Sequence, residues 1–121
     1  MSSKVMKRIV SGQVGIQQGT RILFSDFATG GPMWTGQGDR AIRERITFAD
    51  GFREAPVVML GISLWDMDHK TNMRADLAAE NVTVAGFHLV FRTWGDTRIA
   101  RVRADWTAIG PVRDEEDWDI A

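Results

Sequence analysis

Residues 72–80 read Asn-Met-Arg-Ala-Asp-Leu-Ala-Ala-Glu, and their apolar side chains recur at every second position. One face of this stretch consists of Met73, Ala75, Leu77 and Ala79. The other face carries Asn72, Arg74, Asp76, Ala78 and Glu80. Because successive side chains of a strand point to opposite faces, the alternation predicts a strand with one face in a core.

The same period of two recurs on both sides of this stretch. Its apolar members are Ile42, Ile46 and Phe48, then Phe87, Leu89 and Phe91, and finally Ala100, Val102, Ala104 and Trp106. A first strand is expected near Ile9 to Ile16. The run from Pro56 to Leu64 is nearly all apolar, so we expect a central strand covered on both faces.

These strands follow one another at short spacing with turn signals between them, which is typical of antiparallel pairing. The sequence therefore predicts an all-β fold, a six-stranded antiparallel β-sandwich. A chain of 121 residues suits one core. We assign residues 6–110 to that domain and residues 111–121 to an acidic C-terminal tail. Two interpretations of the tail stay open: a solvated segment, or one whose Trp118 docks on a neighbouring chain.

Composition excludes several classes of protein. There is no cysteine, so disulfides, thiolate metal sites and thiol nucleophiles are excluded. The formal net charge is -1, so no strong field favours nucleic acid, and no apolar run suggests membrane insertion. The N-terminus lacks a signal-peptide pattern, which leaves the location open between the cytoplasm and export by a non-classical route.

The sequence favours neither catalysis nor a metal site. His69 and His88 are the only histidines and lie in different predicted elements. The run that begins at Asp66 resembles the first half of a calcium loop, yet Thr71 and Leu77 stand where such loops need glycine and glutamate. An acidic turn is the favoured interpretation and a calcium loop the alternative. We expect no enzymatic activity, no catalytic residue, no metal and no cofactor.

A turn between two predicted strands places Trp94 beside Asp96. An indole packs on the apolar C–H face of a pyranose, while carboxylates and guanidinium groups bind its hydroxyls. Arg74, Asp39 and Arg40 could supply further contacts. Alternatives remain open at this point: Trp94 as a core or interface ring, and Arg74 and Asp39 as members of surface ion pairs.

The connection from Ser25 to Arg40 is glycine-rich and carries Trp34. Loops of this length are uncommon in compact domains and often functional. This loop is therefore a second place to look for function.

The order of several short segments resembles the H-type lectin family, to which snail agglutinins and the carboxyl-terminal domain of the discoidins belong. The segments are Arg45–Phe48, Pro56–Val58, Asp66, Asn72–Arg74, Gly86–Phe87, Thr93–Trp94 and Trp106. The resemblance runs from about Ile9 to Gly110. It implies a six-stranded sandwich that assembles as a homotrimer, with glycan pockets for galactose or N-acetylgalactosamine between subunits.

The resemblance also implies a set of binding residues. Family members use an aspartate before the second strand, the arginine of Asn-x-Arg and the tryptophan of the Thr-Trp turn. Including neighbours, the carbohydrate-binding residues expected here are Asp39, Arg40, Arg74, Trp94, Gly95 and Asp96. The chain departs from the snail proteins at Gly95, where they have histidine, and at Ala100, where they have tyrosine. Asp96 is placed to replace the lost polar contact.

Two functions follow as hypotheses. The first is a lectin that recognises terminal galactose or N-acetylgalactosamine without performing chemistry. The second is a structural trimerisation module that has kept the sandwich and lost the sugar, and the departures at Gly95 and Ala100 are what favour it.

Overall fold

The computed structural model describes residues 6–9 and 12–113, and residues 114–121, with the predicted role of Trp118, lie outside this part. The described part contains six strands and one short helix. They are β1 (Gln13–Ser25), α1 (Pro32–Thr35), β2 (Arg40–Thr47), β3 (Val57–Met67), β4 (Asp76–Glu80), β5 (Gly86–Thr93) and β6 (Ile99–Val112). The helix spans four residues, and no helix of the described part is long and apolar enough to cross a membrane.

The strands form two antiparallel three-stranded sheets, in the orders β1-β6-β3 and β2-β5-β4. The prediction of a six-stranded antiparallel β-sandwich is confirmed. β6 and β5 are the central strands of their sheets, so the alternating apolar residues of both sequences face one shared core.

Aromatic side chains join the two sheets. The ring of Phe24 on β1 lies 5.6 Å from that of Phe91 on β5, and the ring of Phe87 on β5 lies 5.7 Å from that of Trp106 on β6. Phe87 and Phe91 are fully buried. Burying a phenylalanine side chain contributes about 1.5–3 kcal/mol, so these contacts are a large part of what holds the sheets together.

Two predicted strands have different bounds in the structure. β1 begins at Gln13 and extends to Ser25, well beyond the predicted end at Ile16. The stretch 72–80 becomes a strand only from Asp76, and Met73 is exposed. The reason is that residues 72–74 bond to the side chains of Thr93, at the end of β5, and Thr97, in the following turn, instead of continuing the sheet.

The prediction that the run from Pro56 to Leu64 is a central strand covered on both faces was wrong. β3 is an edge strand, and its residues Val57, Met59 and Trp65 are exposed. Because these exposed residues of the edge strand are also apolar, its sequence has the continuous apolar composition that is typical of a buried central strand.

The loop of residues 26–39 is folded back on itself and fastened to both sheets. The Asp26 Oδ2 accepts a hydrogen bond from the Met33 backbone N–H at 3.0 Å, and Met33 is buried. The Gly38 backbone N–H donates to the Gly95 carbonyl at 3.0 Å. These bonds hold the loop against the turn that follows β5.

Candidate functional site

Two buried threonines fasten the β5–β6 turn, residues 94–98, to the segment that precedes β4. The Thr93 hydroxyl donates to the Arg74 carbonyl, and the Thr97 hydroxyl donates to the Asn72 carbonyl, both at 2.6 Å. The Thr97 oxygen also accepts from the Arg74 backbone N–H at 3.2 Å. These bonds bring together two sequence motifs that lie about twenty residues apart.

An ion pair lies beside this turn. Arg74 Nη1 is 2.5 Å from Asp96 Oδ1, and both the backbone N–H and the side-chain amide of Asn72 donate to the same carboxylate at 3.3 Å. The Arg74 guanidinium, and then the Asn72 N–H, lower the pKa of Asp96 below its ordinary value. Asp96 is therefore a carboxylate at neutral pH, and its lone pairs are largely occupied.

Gly95 permits this arrangement because of its backbone conformation. Its φ is +69°, in the left-handed region, and a Cβ at this position would lie 3.1 Å from Arg74 Nη1. A histidine at this position, as in the snail proteins, would therefore sterically crowd the Arg74–Asp96 ion pair.

The guanidinium of Arg40 joins the loop to the turn. Its Nε donates to the Gly38 carbonyl at 3.0 Å, and its Nη2 donates to the Gly95 carbonyl at 3.2 Å. Its Nη1 donates to the Pro32 and Met33 carbonyls at 3.4 and 3.2 Å. Arginine has five N–H donors, so most of the donors of Arg40 are engaged by backbone carbonyls and hold the loop in position.

A cleft of about 480 Å³ opens beside the turn, a volume within the range of small-ligand sites. Its walls are Asp39, Arg40, Ala41, Asp76, Arg92, Thr93 and Trp94. We call it the Trp94 cleft. The Trp94 side chain is 41% exposed, and no other ring of the described residues packs against it.

Charged residues on neighbouring strands form the polar wall of the Trp94 cleft. Asp76 and Arg92 face each other in the β4–β5 register, with Arg92 Nη1 3.8 Å from Asp76 Oδ2. Arg92 Nη2 donates to Glu80 Oε2 at 2.8 Å, and Arg43 donates to the other Glu80 oxygen at 2.9 Å. Arg92, ahead of Arg43, lowers the pKa of Glu80. Within the described part of the chain, the Asp76 side chain makes only this long ion pair, so it keeps acceptor capacity toward the cleft.

The structure divides the expected site residues into two groups. Asp39, Arg40 and Trp94 line the Trp94 cleft, whereas Arg74, Gly95 and Asp96 form the neighbouring cluster beside the turn.

Sequence reasoning missed Asp76 and Arg92 as cleft residues. Two signals were available: Arg92 follows the buried Phe91 and so lies on the opposite face of β5, and Asp76 lies on the polar face of its strand. Their pairing, however, depends on the strand register, which spacing in the sequence does not reveal.

The two carboxylates of the acidic run, Asp66 near the end of β3 and Asp68 just after it, each form an ion pair with an arginine. Arg101 Nε lies 3.5 Å from Asp66 Oδ2, and Arg98 Nη1 lies 3.5 Å from Asp68 Oδ2. The Lys70 backbone N–H donates to Asp68 Oδ1 at 2.9 Å, as in an acidic turn. Within residues 6–9 and 12–113, no three histidine, aspartate or glutamate side chains gather as a metal site would require.

A family model described as H-type lectin domain matches residues 43–109, which include most of β2, all of β3, β4 and β5, the β5–β6 turn and most of β6. The chain belongs to the H-type lectin family. The resemblance seen in the sequence is thereby confirmed.

The chain is also similar to proteins of two organisms. The "ATP synthase subunits region ORF 7" protein of Fuscovulum blasticum is 63% identical over 111 residues, which are 92% of this chain and 96% of that protein. Discoidin-2 of Dictyostelium discoideum is 34% identical over 77 residues, 62% of this chain and 30% of that protein. The solved structure of recombinant discoidin II from the same organism gives a TM-score of 0.70 at 26% identity, covering 85% of this chain and 40% of that one. This H-type lectin domain is thus related to the discoidins and corresponds to less than half of their length.

Proposed function

We propose that this domain is a carbohydrate-binding lectin that holds a terminal galactose or N-acetylgalactosamine in the Trp94 cleft. The observation that carries the proposal is the exposed indole of Trp94 on the rim of a cleft that also holds carboxylates and a guanidinium. No chemistry, metal or cofactor is part of the proposal.

The cleft supplies both kinds of contact that a neutral sugar needs. The Trp94 ring stacks on the C–H face of a pyranose, which is apolar on one side in galactose-type sugars. The Asp39 carboxylate is exposed and makes no side-chain hydrogen bond or ion pair with another described residue, so it accepts from sugar hydroxyls. Asp76 accepts on the opposite wall, and Arg92 donates there.

The departures from the snail proteins fit this arrangement. Gly95 leaves room for the Arg74–Asp96 ion pair, which links the turn to the segment before β4. Ala100 is buried, does not line the Trp94 cleft, and accepts a hydrogen bond from the Asp26 N–H through its carbonyl at 2.7 Å. We infer that Asp76 and Arg92 provide polar contacts that the family pattern assigns elsewhere.

Assembly is part of the proposed mechanism. One shallow site binds at about millimolar strength, roughly -4 kcal/mol. Several sites on a homotrimer raise the apparent affinity by ~10²–10⁴ through effective concentration. We propose that the trimer provides this multivalency.

A glycan array with a pair of matched variants tests the proposal. Trp94→Ala removes the stacking surface, and we expect its signal on galactose-type glycans to fall to background. Trp65→Ala removes an even more exposed indole, 57% against 41% for Trp94, that lies on β3 outside the Trp94 cleft, and we expect it to bind as wild type does. If wild type is silent on all glycans, or if both variants bind equally well, the Trp94 site is refuted.

The alternative, a structural assembly module, is favoured by one surface. Ile16, Ile109 and Val57 lie in a single row across the outer face of β1-β6-β3, and Val14 and Met59 border it. Exposed apolar patches mark contact surfaces. Light scattering of wild type and Ile16→Glu tests this: a trimer that dissociates in the variant, together with a silent glycan array, supports the assembly module.

A further inference from the structure

A second aromatic cleft borders the loop 26–39. Its volume is about 360 Å³. Its walls are Ser25, Phe27, Ala28, Trp34, Asp66, Met67, Ala100 and Arg101. None of these residues lines the Trp94 cleft. We call this site the Phe27 cleft.

Phe27 is an exposed ring on a fixed backbone. Its side chain is 62% exposed, although the Phe27 and Asp26 N–H groups both donate to the Ala100 carbonyl, at 3.3 and 2.7 Å. A ring presented by a rigid backbone loses little conformational entropy when a ligand stacks on it.

Trp34 supports this ring from behind. The two ring centroids lie 4.9 Å apart in an edge-to-face contact. The guanidinium of Arg98 covers the Trp34 ring at 4.4 Å, and its Nε donates to the Trp34 carbonyl at 2.9 Å. Trp34 is therefore held in place, and the Phe27 face remains free for a ligand.

The cleft also holds a carboxylate and a guanidinium. Asp66 Oδ2 and Arg101 Nε are 3.5 Å apart, and both side chains are more than half exposed. The pair is a single long contact, so most Asp66 acceptor sites and Arg101 donors are available for hydroxyl groups.

We propose that the Phe27 cleft is a second carbohydrate site, in which a pyranose stacks on Phe27 and two of its hydroxyls bind Asp66 and Arg101. The proposal rests on the proposed function for the class of ligand, but it shares no residue with the Trp94 cleft. Both clefts border one loop, which is bonded to Ala100 on one side and to Gly95 on the other. Each chain then offers two sugar contacts, and branched or longer glycans bind more tightly than monosaccharides.

Amide chemical shifts in a ¹H–¹⁵N spectrum show which cleft is occupied. The probes are galactose, N-acetylgalactosamine, glucose and mannose, each titrated to about 50 mM because single sites bind at about millimolar strength. The reporters for the second cleft are the amides of Phe27, Ala28 and Arg101. Those for the first are the amides of Asp39, Ala41 and Trp94.

The variants separate the two sites. Phe27→Leu keeps an apolar side chain against Trp34 but removes the ring face, and we expect at least about tenfold weaker sugar binding at the second cleft alone. Ile22→Ala changes an apolar side chain of similar exposure, 64%, outside both clefts and should leave both titrations unchanged. Trp94→Ala should abolish shifts at the first cleft and preserve those at the second.

Each outcome decides one of the two proposals. Shifts at the first cleft without shifts at the second, for all four sugars, overturn the second site and leave the proposed function standing. Shifts at the second cleft alone support the second site and refute the Trp94 site. Shifts at the second cleft that Phe27→Leu does not weaken also overturn the proposal, because the ring is then not the contact.

Discussion

The β5–β6 turn has a buried side and an exposed side, and neighbouring residues on the two sides differ in the contacts that their side chains make. On the buried side, Thr93 and Thr97 have less than 2% of their surface exposed and use their hydroxyls to bond the Asn72–Arg74 segment. On the exposed side, Trp94 has no aromatic partner among the described residues and projects into the cleft. One side sets the shape of the turn, and the other is free to bind.

The difference explains why the Thr-Trp turn and the Asn-x-Arg segment belong together. The threonines place the segment beside the turn, and Asp96 then pairs with Arg74. Stability and binding should therefore respond to different residues, although those residues are adjacent in sequence.

Replacing Thr97 with valine should destabilise the domain most. The change keeps the shape of the side chain but leaves the Asn72 carbonyl and the Arg74 N–H without the Thr97 hydroxyl, at a cost of about 1–3 kcal/mol. Urea denaturation at fixed protein concentration measures this. Thr47→Val, at an exposed position of β2, is the control and should change stability by less than about 0.5 kcal/mol. Equal midpoints for the two variants would contradict the assignment of Thr97 to the turn's support.

Replacing Gly95 with alanine should have a smaller effect, about 1–2 kcal/mol. The alanine must adopt a φ of +69°, which is unfavourable for a residue with a Cβ, and that atom would lie 3.1 Å from Arg74 Nη1. Thermal unfolding measures the loss. Gly61→Ala on β3 is the matched control because a Cβ there meets no atom within 4 Å and its φ is not positive. If Gly95→Ala melts like Gly61→Ala, the turn does not depend on the left-handed conformation.

The pH dependence of stability should show a small contribution from Asp96. Its pKa is lowered in the folded protein, so its ion pair stabilises the fold above the unfolded-state pKa of about 3.9. This contribution is lost as pH falls through the lowered folded-state pKa. The difference in melting temperature between wild type and Asp96→Asn should therefore be largest near neutral pH and should vanish in strong acid. A difference that is constant with pH would mean that the charge of Asp96 is not what stabilises the turn.

The sequence predicted the fold class well because the core faces of β5 and β6 alternate clearly, and alternation is the direct signature of strands. It misplaced β3 because Val57, Met59 and Trp65 are apolar and exposed, so their composition resembles that of a buried strand. The positions of the candidate site residues were less accessible. Spacing alone cannot show that Asp76 faces Arg92, since sheet register depends on long-range packing.

Removal of divalent cations should change neither glycan binding nor stability. The two carboxylates of the acidic run are separately engaged, Asp66 by Arg101 and Asp68 by Arg98, so a cation would have to displace two guanidinium groups. A calcium site also needs six to eight oxygen ligands, and the walls of the Trp94 cleft include only two carboxylates. Array binding and melting temperature in EDTA, followed by calcium addition, measure this. Binding that disappears in EDTA and returns with calcium would show that glycan binding at the exposed side of the turn requires a cation. The Trp94 ring and its neighbouring side chains would then not be sufficient.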